Sequence, residues 1–546
     1  LLTYDPEWLR GDVLAGLTVA AYLIPQCMAY GELAGVPPVA GLWAILPPMV
    51  IYTLLGSSPQ LSVGPESTTA VMTAAAIAPL AAADGSDYAA LASLSSLLIS
   101  VICLAGYVAR LGFLANLLSK PILVGYMAGV AILMISGQLS KVSGIPIQAD
   151  SVIGEFQGFF SHLGQIHGPT LGLATFVLLF LGMIQSRFPR APGPLIAVLL
   201  TTAAMALWDL DQRGVAVVGL IPAGLPQLAL PVVEGQKIPP LVAGAIGIAI
   251  VAYSDNVVTG RAFANRNGYT IDANQELLAL GASNLGTGLM QGIPVSSSGS
   301  RTVIGDALGS QTQLYSLVAM VALVSVLLFL RPLLSLFPTA ALGAIVIFAA
   351  LKLIDVQEFR RLHRFRQTEL LLALLTSIAV LATNILIGVA VAVGLSVIDL
   401  FARVARPHDA VLGKVPDLPG LHDIEDWAGA TTVPGLVIYR YDAPLCFANA
   451  EDFKQRALAA IAAEATPVEW FVLNTEAIID IDITAVDMLL ELQQELTAQG
   501  IVFGLARMKQ DLYEQLRRSP LLTQISPDQI FPTLPTVLAS FEARQT

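Results

Sequence analysis

Long apolar runs broken by Gly and Pro constrain this chain more than any other feature. Val13 to Met28, Leu195 to Leu207, Leu241 to Val251 and Leu370 to Ala382 carry no charged residue, and similar runs recur as far as residue 402. Mean hydropathy is +0.72 and 12% of residues are charged, about half of the roughly 25% usual in soluble domains. In hydrocarbon every backbone N–H and C=O must be paired within the protein, so such runs fold as helices, and Gly or Pro inside them marks close packing or a break. These features exclude an ordinary soluble enzyme. The sequence opens on Leu1 rather than Met, so further N-terminal residues are expected, and the opening residues carry no signal-peptide pattern.

Fourteen membrane segments are expected, from 13–30 to 385–402, several of them too short to cross about 30 Å of hydrocarbon. With the N-terminus cytoplasmic, fourteen basic residues between Arg10 and Arg406 fall inside, against four outside, Lys141, Arg213, Lys237 and Arg331. Charge then shifts sharply. Residues 1–406 hold 19 Lys/Arg against 20 Asp/Glu, whereas 407–546 hold 9 against 20. The reading is a transmembrane transport domain over 1–406, with a linker and an acidic cytoplasmic domain over 407–546, separated near "RVARPHDAVLGKVPDLPG".

Polar stretches in the apolar part are the functional signal. "QLSVGPESTTAVM" at 60–72 and "GIPVSSSGSRTVI" at 292–304 each read as a short β-like run, a breaker and a polar helix start, at similar distances into the two halves. Seven segments per half is odd, so the second half is inverted relative to the first, and broken helices at matching positions point to a transporter site. A helix that begins within the membrane aims unpaired N–H groups and about +0.5 charge at what lies before it. Two such ends with Arg301 give about +2, suited to an oxyanion. Ser296, Ser297, Ser298 and Ser300 are expected to cap and donate, and Gly292 and Gly299 to admit close approach. The bland alternative for the serines and glycines is tight helix packing. A charge in the membrane is a functional hypothesis by default. Asp255 therefore reads as coupling a proton or Na⁺ to the anion, with Thr259 one turn on, or as a permanent ion pair with Arg301. Glu66 reads as a site residue or as a first-turn acid favouring the helix dipole.

"GDVLAGLTVAAYLIPQCMAYGELAGVPPVAGLWA", "LLGSSPQLSVGPES" and "GRAFANRNGYTIDANQELLALGASNLGTG" resemble the sulfate permease (SulP) family of anion transporters, and the likeness extends over nearly the whole chain. The resemblance implies an α-helical integral membrane protein of fourteen segments in a 7+7 inverted repeat of the nucleobase-transporter type, with core and gate subdomains and a C-terminal α/β STAS domain. It implies an elevator-like movement and a homodimer. It also places Gln26, Tyr30, Glu66, Ser67, Ser298, Ser300 and Arg301 at the anion, and Asp255 and Thr259 at the coupling cation.

In the C-terminal domain, "VPGLVIYRYDAPLCFANAEDFKQRALAAI" reads as strand, loop and helix, followed by strand, helix and strand, which resembles STAS. Asp482 and Thr484 lie near the place where related bacterial regulators are phosphorylated, and Thr484 is expected to cap a helix. No triad, nucleotide loop or metal-ligand spacing is present in the sequence, and Cys27, Cys103 and Cys446 are scattered. The expectation is a plasma (inner) membrane symporter, not an enzyme, that needs no cofactor, metal or nucleic acid. Sulfate is the leading substrate; bicarbonate or a C4-dicarboxylate, or an uncoupled anion exchanger or channel, are the alternatives.

Overall fold

The computed structural model describes residues 4–81, 88–116, 119–147, 151–188, 191–219, 221, 224–383 and 385–545. The chain divides into two units, one ending at Ser396 and the other beginning at Val397.

The first unit is helical. Its helices are α1 (Leu9–Leu33), α2 (Pro38–Leu55), α3 (Ser67–Ile77), α4 (Tyr88–Val108), α5 (Lys120–Ser143), α6 (Val152–Ser161), α7 (Gly168–Arg187), α8 (Gly193–Trp208), α9 (Ile238–Asn267), α10 (Ala273–Leu289), α11 (Gly299–Ala307), α12 (Leu314–Phe329), α13 (Arg331–Ser335), α14 (Thr339–Leu353), α15 (Val356–Phe365), α16 (Gln367–Ala382) and, as far as Ser396, α17 (Ile385–Ala405). Two short strands, β1 (Val63–Gly64) and β2 (Ser296–Ser297), precede α3 and α11. A helix stands at each of the fourteen expected segments; α6, α13 and α15 lie between them. Among the described residues seven helical stretches are long and apolar enough to cross a membrane. By contrast α3 has 11 residues and α11 has 9, which at 1.5 Å per residue reach about half of the hydrocarbon thickness.

Local chemistry sets the ends. Proline occupies the first turn of α2, α5, α7, α8 and α9, where its missing N–H has no helical partner to lose. Asp272 caps α10 by accepting from the N–H groups of Asn274 and Gln275. The chain leaves α5 and α9 through left-handed Gly144 (φ 74°) and Gly268 (φ 73°).

The helices form two packing groups. One holds α1, α2, α4, α9, α10 and α12 with the short α3 and α11; the other holds α5, α7, α8, α14 and α16. Small residues bring the first group together: Ser93 Oγ of α4 donates to the Gly288 carbonyl of α10 at 2.6 Å, a close approach typical of helix pairs in lipid. The two groups meet mainly where α1 lies against α8 and α14.

The second unit is α/β: β3 (Asp409–Val415), β4 (Leu418–Asp423), β5 (Leu436–Tyr441), α18 (Ala450–Ala463), β6 (Trp470–Asn474), α19 (Ile483–Ala498), β7 (Val502–Ala506), α20 (Gln510–Leu516), α21 (Leu521–Gln524), β8 (Ile530–Phe531) and α22 (Leu534–Gln545). Strand order is β4-β3-β5-β6-β7-β8, with β5 to β8 parallel and β3 antiparallel to both of its neighbours. All five residues of β6 are buried, as a parallel strand covered on both faces requires. Residues 403–420, whose Pro and Gly were expected to mark a linker, contain β3 and the start of β4. Their Pro and Gly misled because Pro416 and Asp417 (φ 61°) make the turn, and Pro419 and Gly420 lie on the edge strand β4, where a missing ladder N–H is tolerated.

Candidate anion site between two half-helix starts

β1 and β2 pair antiparallel, Val63 opposite Ser297 and Gly64 opposite Ser296. Each strand leads within three residues into a helix, so α3 and α11 leave one place in opposite directions, as an inverted repeat demands. The Ser298 N–H extends the pairing by donating to the Ser62 carbonyl at 2.8 Å.

The two starts are finished differently. At α3 the N-cap is Glu66, whose carboxylate accepts from the Ser67 N–H at 2.5 Å and from Ser67 Oγ at 3.1 Å. A negative charge of the chain itself thus sits on that dipole end. At α11 the N-cap is Ser298, and the expected side-chain cap is absent; its Oγ lies 3.2 Å from Ser300 Oγ instead. A Cβ on Gly299 would meet nothing within 4 Å, so this backbone is open to a ligand. Gly292 serves packing instead, since a Cβ there would fall 2.8 Å from Ala44.

Arg301 is fully buried behind this start. Its Nε donates to Ser62 Oγ at 3.1 Å, and its Nη1 to the Pro65 carbonyl at 2.9 Å and to Gln26 Oε1 at 3.2 Å. The guanidinium therefore ties α11 to the chain between β1 and α3, and it fixes the amide of Gln26. With its oxygen held by Arg301, Gln26 turns Nε2 toward the Tyr30 hydroxyl (3.0 Å) and Ser300 Oγ (3.4 Å).

A cavity of about 410 Å³ lies in front of these groups. Gln26, Tyr30, Glu66, Ser67, Ser300, Asp255 and Thr259 all line it, as does Gly299; Ser298 and Arg301 stand behind the wall. Asp255 accepts from Ser297 Oγ at 2.9 Å, which links α9 to the strand leading into α11. Among the described residues Arg301 and Asp255 form no ion pair, so the permanent bridge considered for them is not formed.

The opposite wall comes from the second packing group: Leu181, Ile184 and Phe188 from α7 and its end, with Ile345 and Phe348 of α14. Two polar groups belong to that side, Gln185 and Lys352. Lys352 Nζ donates to Gln185 Oε1 and lies 4.6 Å from the Phe348 ring centroid. Neither residue stood out in the sequence, where a lysine at the end of an apolar helix reads as an interfacial anchor. Tyr22 of α1, four residues before Gln26, also lines the cavity; the helical period from Gln26 and Tyr30 was the available signal.

Glu276 is among the buried carboxylates that lie apart from the cavity lining. Glu276 of α10 accepts from the Tyr52 hydroxyl (2.9 Å), the N–H and Oγ of Ser57 (2.9 and 2.6 Å) and Asn256 Nδ2 (2.6 Å). Four donors stabilise a charge that would otherwise be costly to bury, and they join α2, α9 and α10 next to Asp255.

In the second unit, Asp482 and not Thr484 caps α19. Asp482 accepts from the N–H groups of Ala485 at 2.9 Å and Phe447 at 2.7 Å, while Thr484 is exposed one position inside the helix. The carboxylate reaches two N–H groups from outside the first turn, which a hydroxyl within the turn does not.

Residues 9–376 match the model of the sulfate permease family. The chain belongs to that family. Residues 428–537 match the STAS domain, so the part that matches the family model is followed by the α/β domain described above. A probable sulfate transporter of Mycobacterium tuberculosis is 55% identical over 541 residues, covering 99% of this chain and 97% of its own. In fold, the murine solute carrier 26 family member A9 anion transporter, solved in an inward-facing state, matches with a TM-score of 0.91 at 22% identity over 99% of this chain and 93% of its own. The transmembrane domain of the cyanobacterial bicarbonate transporter BicA matches with a TM-score of 0.62 at 24% identity over 72% of this chain and 98% of its own. This member of the sulfate permease family is thus a helical multi-pass membrane protein of a transporter family, with an anion as the class of substrate.

Proposed function

We propose that the protein is a secondary active transporter that takes up an inorganic oxyanion, sulfate foremost, in symport with protons or sodium. One observation carries the reading: nearly all polar groups lining the cavity belong to one packing group, while the facing wall is mainly apolar. An anion held by Ser300, Gln26, Tyr30 and the open N–H groups of α11 makes its hydrogen bonds with one body. That body can slide past a greasy wall without breaking them, which suits an elevator-type alternating access. The name of the mycobacterial relative favours sulfate.

Charge supplies the coupling. Glu66 and Asp255 at the cavity oppose Arg301 behind it and Lys352 in its facing wall, leaving about +1 from the two helix ends. Binding or release of a proton or Na⁺ at Asp255, with Thr259 beside it, changes that balance by a full unit. A divalent anion is favoured when Asp255 is neutralised and expelled when it is not. Ser297 conveys the change, being hydrogen-bonded to Asp255 and adjacent to Ser298. Glu66 and Ser67 form the α3 side of the site, and Arg301 sets the field and orients Gln26. We assign residues 1–406 to transport and 407–546 to a cytoplasmic regulatory STAS domain with Asp482 and Thr484 at its regulatory edge. Both termini face the cytoplasm at the inner membrane, and the protein works as a homodimer.

Reconstituted protein assayed by counterflow with sulfate, bicarbonate, succinate and chloride, under an inward proton or sodium gradient, tests the reading. Sulfate exchange that is driven uphill by one cation gradient is expected. Exchange with no response to either gradient contradicts symport, and exclusive selection of another anion contradicts sulfate.

A further inference from the structure

The corner between α14 and α16 carries a basic surface that the cavity does not use. α15 connects two membrane helices, so it is confined to the membrane–water interface, packed on α5 and α16 through its buried Leu362. Its outward face is continuous at helical spacing: Gln357, Arg360, Arg361, Arg364 and Phe365 line a depression of about 500 Å³. Among the described residues neither carboxylate of this helix pairs with Arg360 or Arg364. Asp355 caps the helix by accepting from the N–H groups of Gln357 and Glu358, and Glu358 is held by Lys120 at 2.9 Å and Arg361 at 3.2 Å.

Beside this face a second depression of about 490 Å³ runs from His363, Gln367 and Thr368 onto Leu370, Leu371 and Leu374 of α16. It is polar at one end and apolar at the other. The apolar end continues along α16 through exposed Leu371, Leu374 and Ile378. Phe365, 77% exposed at the junction, has no reason to face water if acyl chains cover it.

We propose that the α15–α16 corner binds an anionic phospholipid, its phosphodiester on Arg360 and Arg364, with Arg361 already paired to Glu358 beside them, and its acyl chain along Leu371, Leu374 and Ile378. Guanidinium groups suit phosphate oxygens by geometry as well as charge. The apolar track separates this ligand from a soluble phosphate, and the arginines separate it from a neutral lipid. The basic side of the protein is also the side that faces the anionic cytoplasmic leaflet.

The test uses the full chain in neutral detergent, titrated with phosphatidylglycerol, with phosphatidylcholine of the same chains, and with glycerol phosphate, counting bound lipid by native mass spectrometry. Phosphatidylglycerol is expected to be retained over phosphatidylcholine, and more weakly at high salt. Arg360→Gln/Arg364→Gln should weaken retention about 25-fold, at about 5-fold per arginine near an anionic headgroup. Arg360→Lys/Arg364→Lys should restore most of it, which separates lost charge from lost folding. Should the glutamine pair fail to elute as a single species, Arg364→Gln alone carries the measurement. Equal retention by wild type and the glutamine variants overturns the proposal, as does equal retention of the two lipids. Displacement by glycerol phosphate at matching concentration assigns the surface to a soluble phosphate instead. A change in oligomeric mass with lipid retention intact assigns it to a second copy of the chain. Either result overturns the lipid site.

Discussion

The starts of α3 and α11 occupy equivalent places in the two halves, yet one is closed and the other open. At α3 Glu66 caps the helix with its own carboxylate, and Gly64 just before it is packed so tightly that a Cβ would fall 2.6 Å from Ile45 and 3.1 Å from Arg301 Nη2. At α11 the cap residue makes no side-chain cap, and Gly299 faces open space. An inverted repeat thus supplies two anion-attracting ends, of which one carries an internal anion and the other faces the cavity free. Arg301 braces the two from behind, so its charge acts on both without lining the cavity.

The largest effect should come from cutting the brace. Arg301→Gln leaves Ser62 Oγ and the Pro65 carbonyl without their buried donor, and the loss should reach about 2–5 kcal/mol in unfolding experiments in detergent. Calorimetry should show sulfate affinity lower by about tenfold or more. Unchanged affinity would remove Arg301 from the account of the site.

Next comes the link to the coupling ion. Asp255→Asn should abolish gradient-driven sulfate uptake in proteoliposomes while counterflow persists, because the hydrogen bond to Ser297 survives in the amide and the titrating charge does not. Glu66→Gln should keep gradient dependence, since its carbonyl still caps α3. If the two variants behave the other way round, the closed end is the coupled one and the comparison is reversed.

Glycine substitutions separate packing from access. Gly64→Ala should lower thermal stability by about 1–3 kcal/mol through overpacking. Gly299→Val should leave the melting temperature unchanged and reduce sulfate transport by about tenfold or more, as added methyl groups occupy the ligand's space. Equal destabilisation by both would mean that the α11 start is as closed as its counterpart.

The smallest effects lie in the STAS domain. Asp482→Ala should cost about 1–2 kcal/mol of its stability by removing the cap of α19, whereas exposed Thr484→Ala should stay within about 0.5 kcal/mol.

Much of this was legible in the sequence because lipid leaves so few options. Apolar runs located the helices, and "SVGPESTT" and "SSSGSRTV" located both broken ones, since polar residues in lipid need a reason. Lys352 and the apolar wall were not legible. A leucine or phenylalanine facing a cavity has the same local pattern as one facing lipid, and their approach to Ser300 is set by tertiary packing between segments far apart in sequence. Glu276 was missed for a related reason: beside Asp272 at a helix start it looks like an ordinary first-turn acid, and only the fold brings Tyr52, Ser57 and Asn256 to it. β3 and β4 were hidden by the Pro and Gly of the turn between them and of β4, the edge strand, which tolerates both.

The central claim is that the anion is held at the open start of α11. A crystal of the protein grown with selenate, a heavier isostere of sulfate, tests it through the anomalous signal of selenium. One peak is expected within hydrogen-bonding distance of Ser300 Oγ and the first N–H groups of α11. A peak confined to the Glu66 end of α3, or selenate bound elsewhere with the α11 start empty, would contradict it.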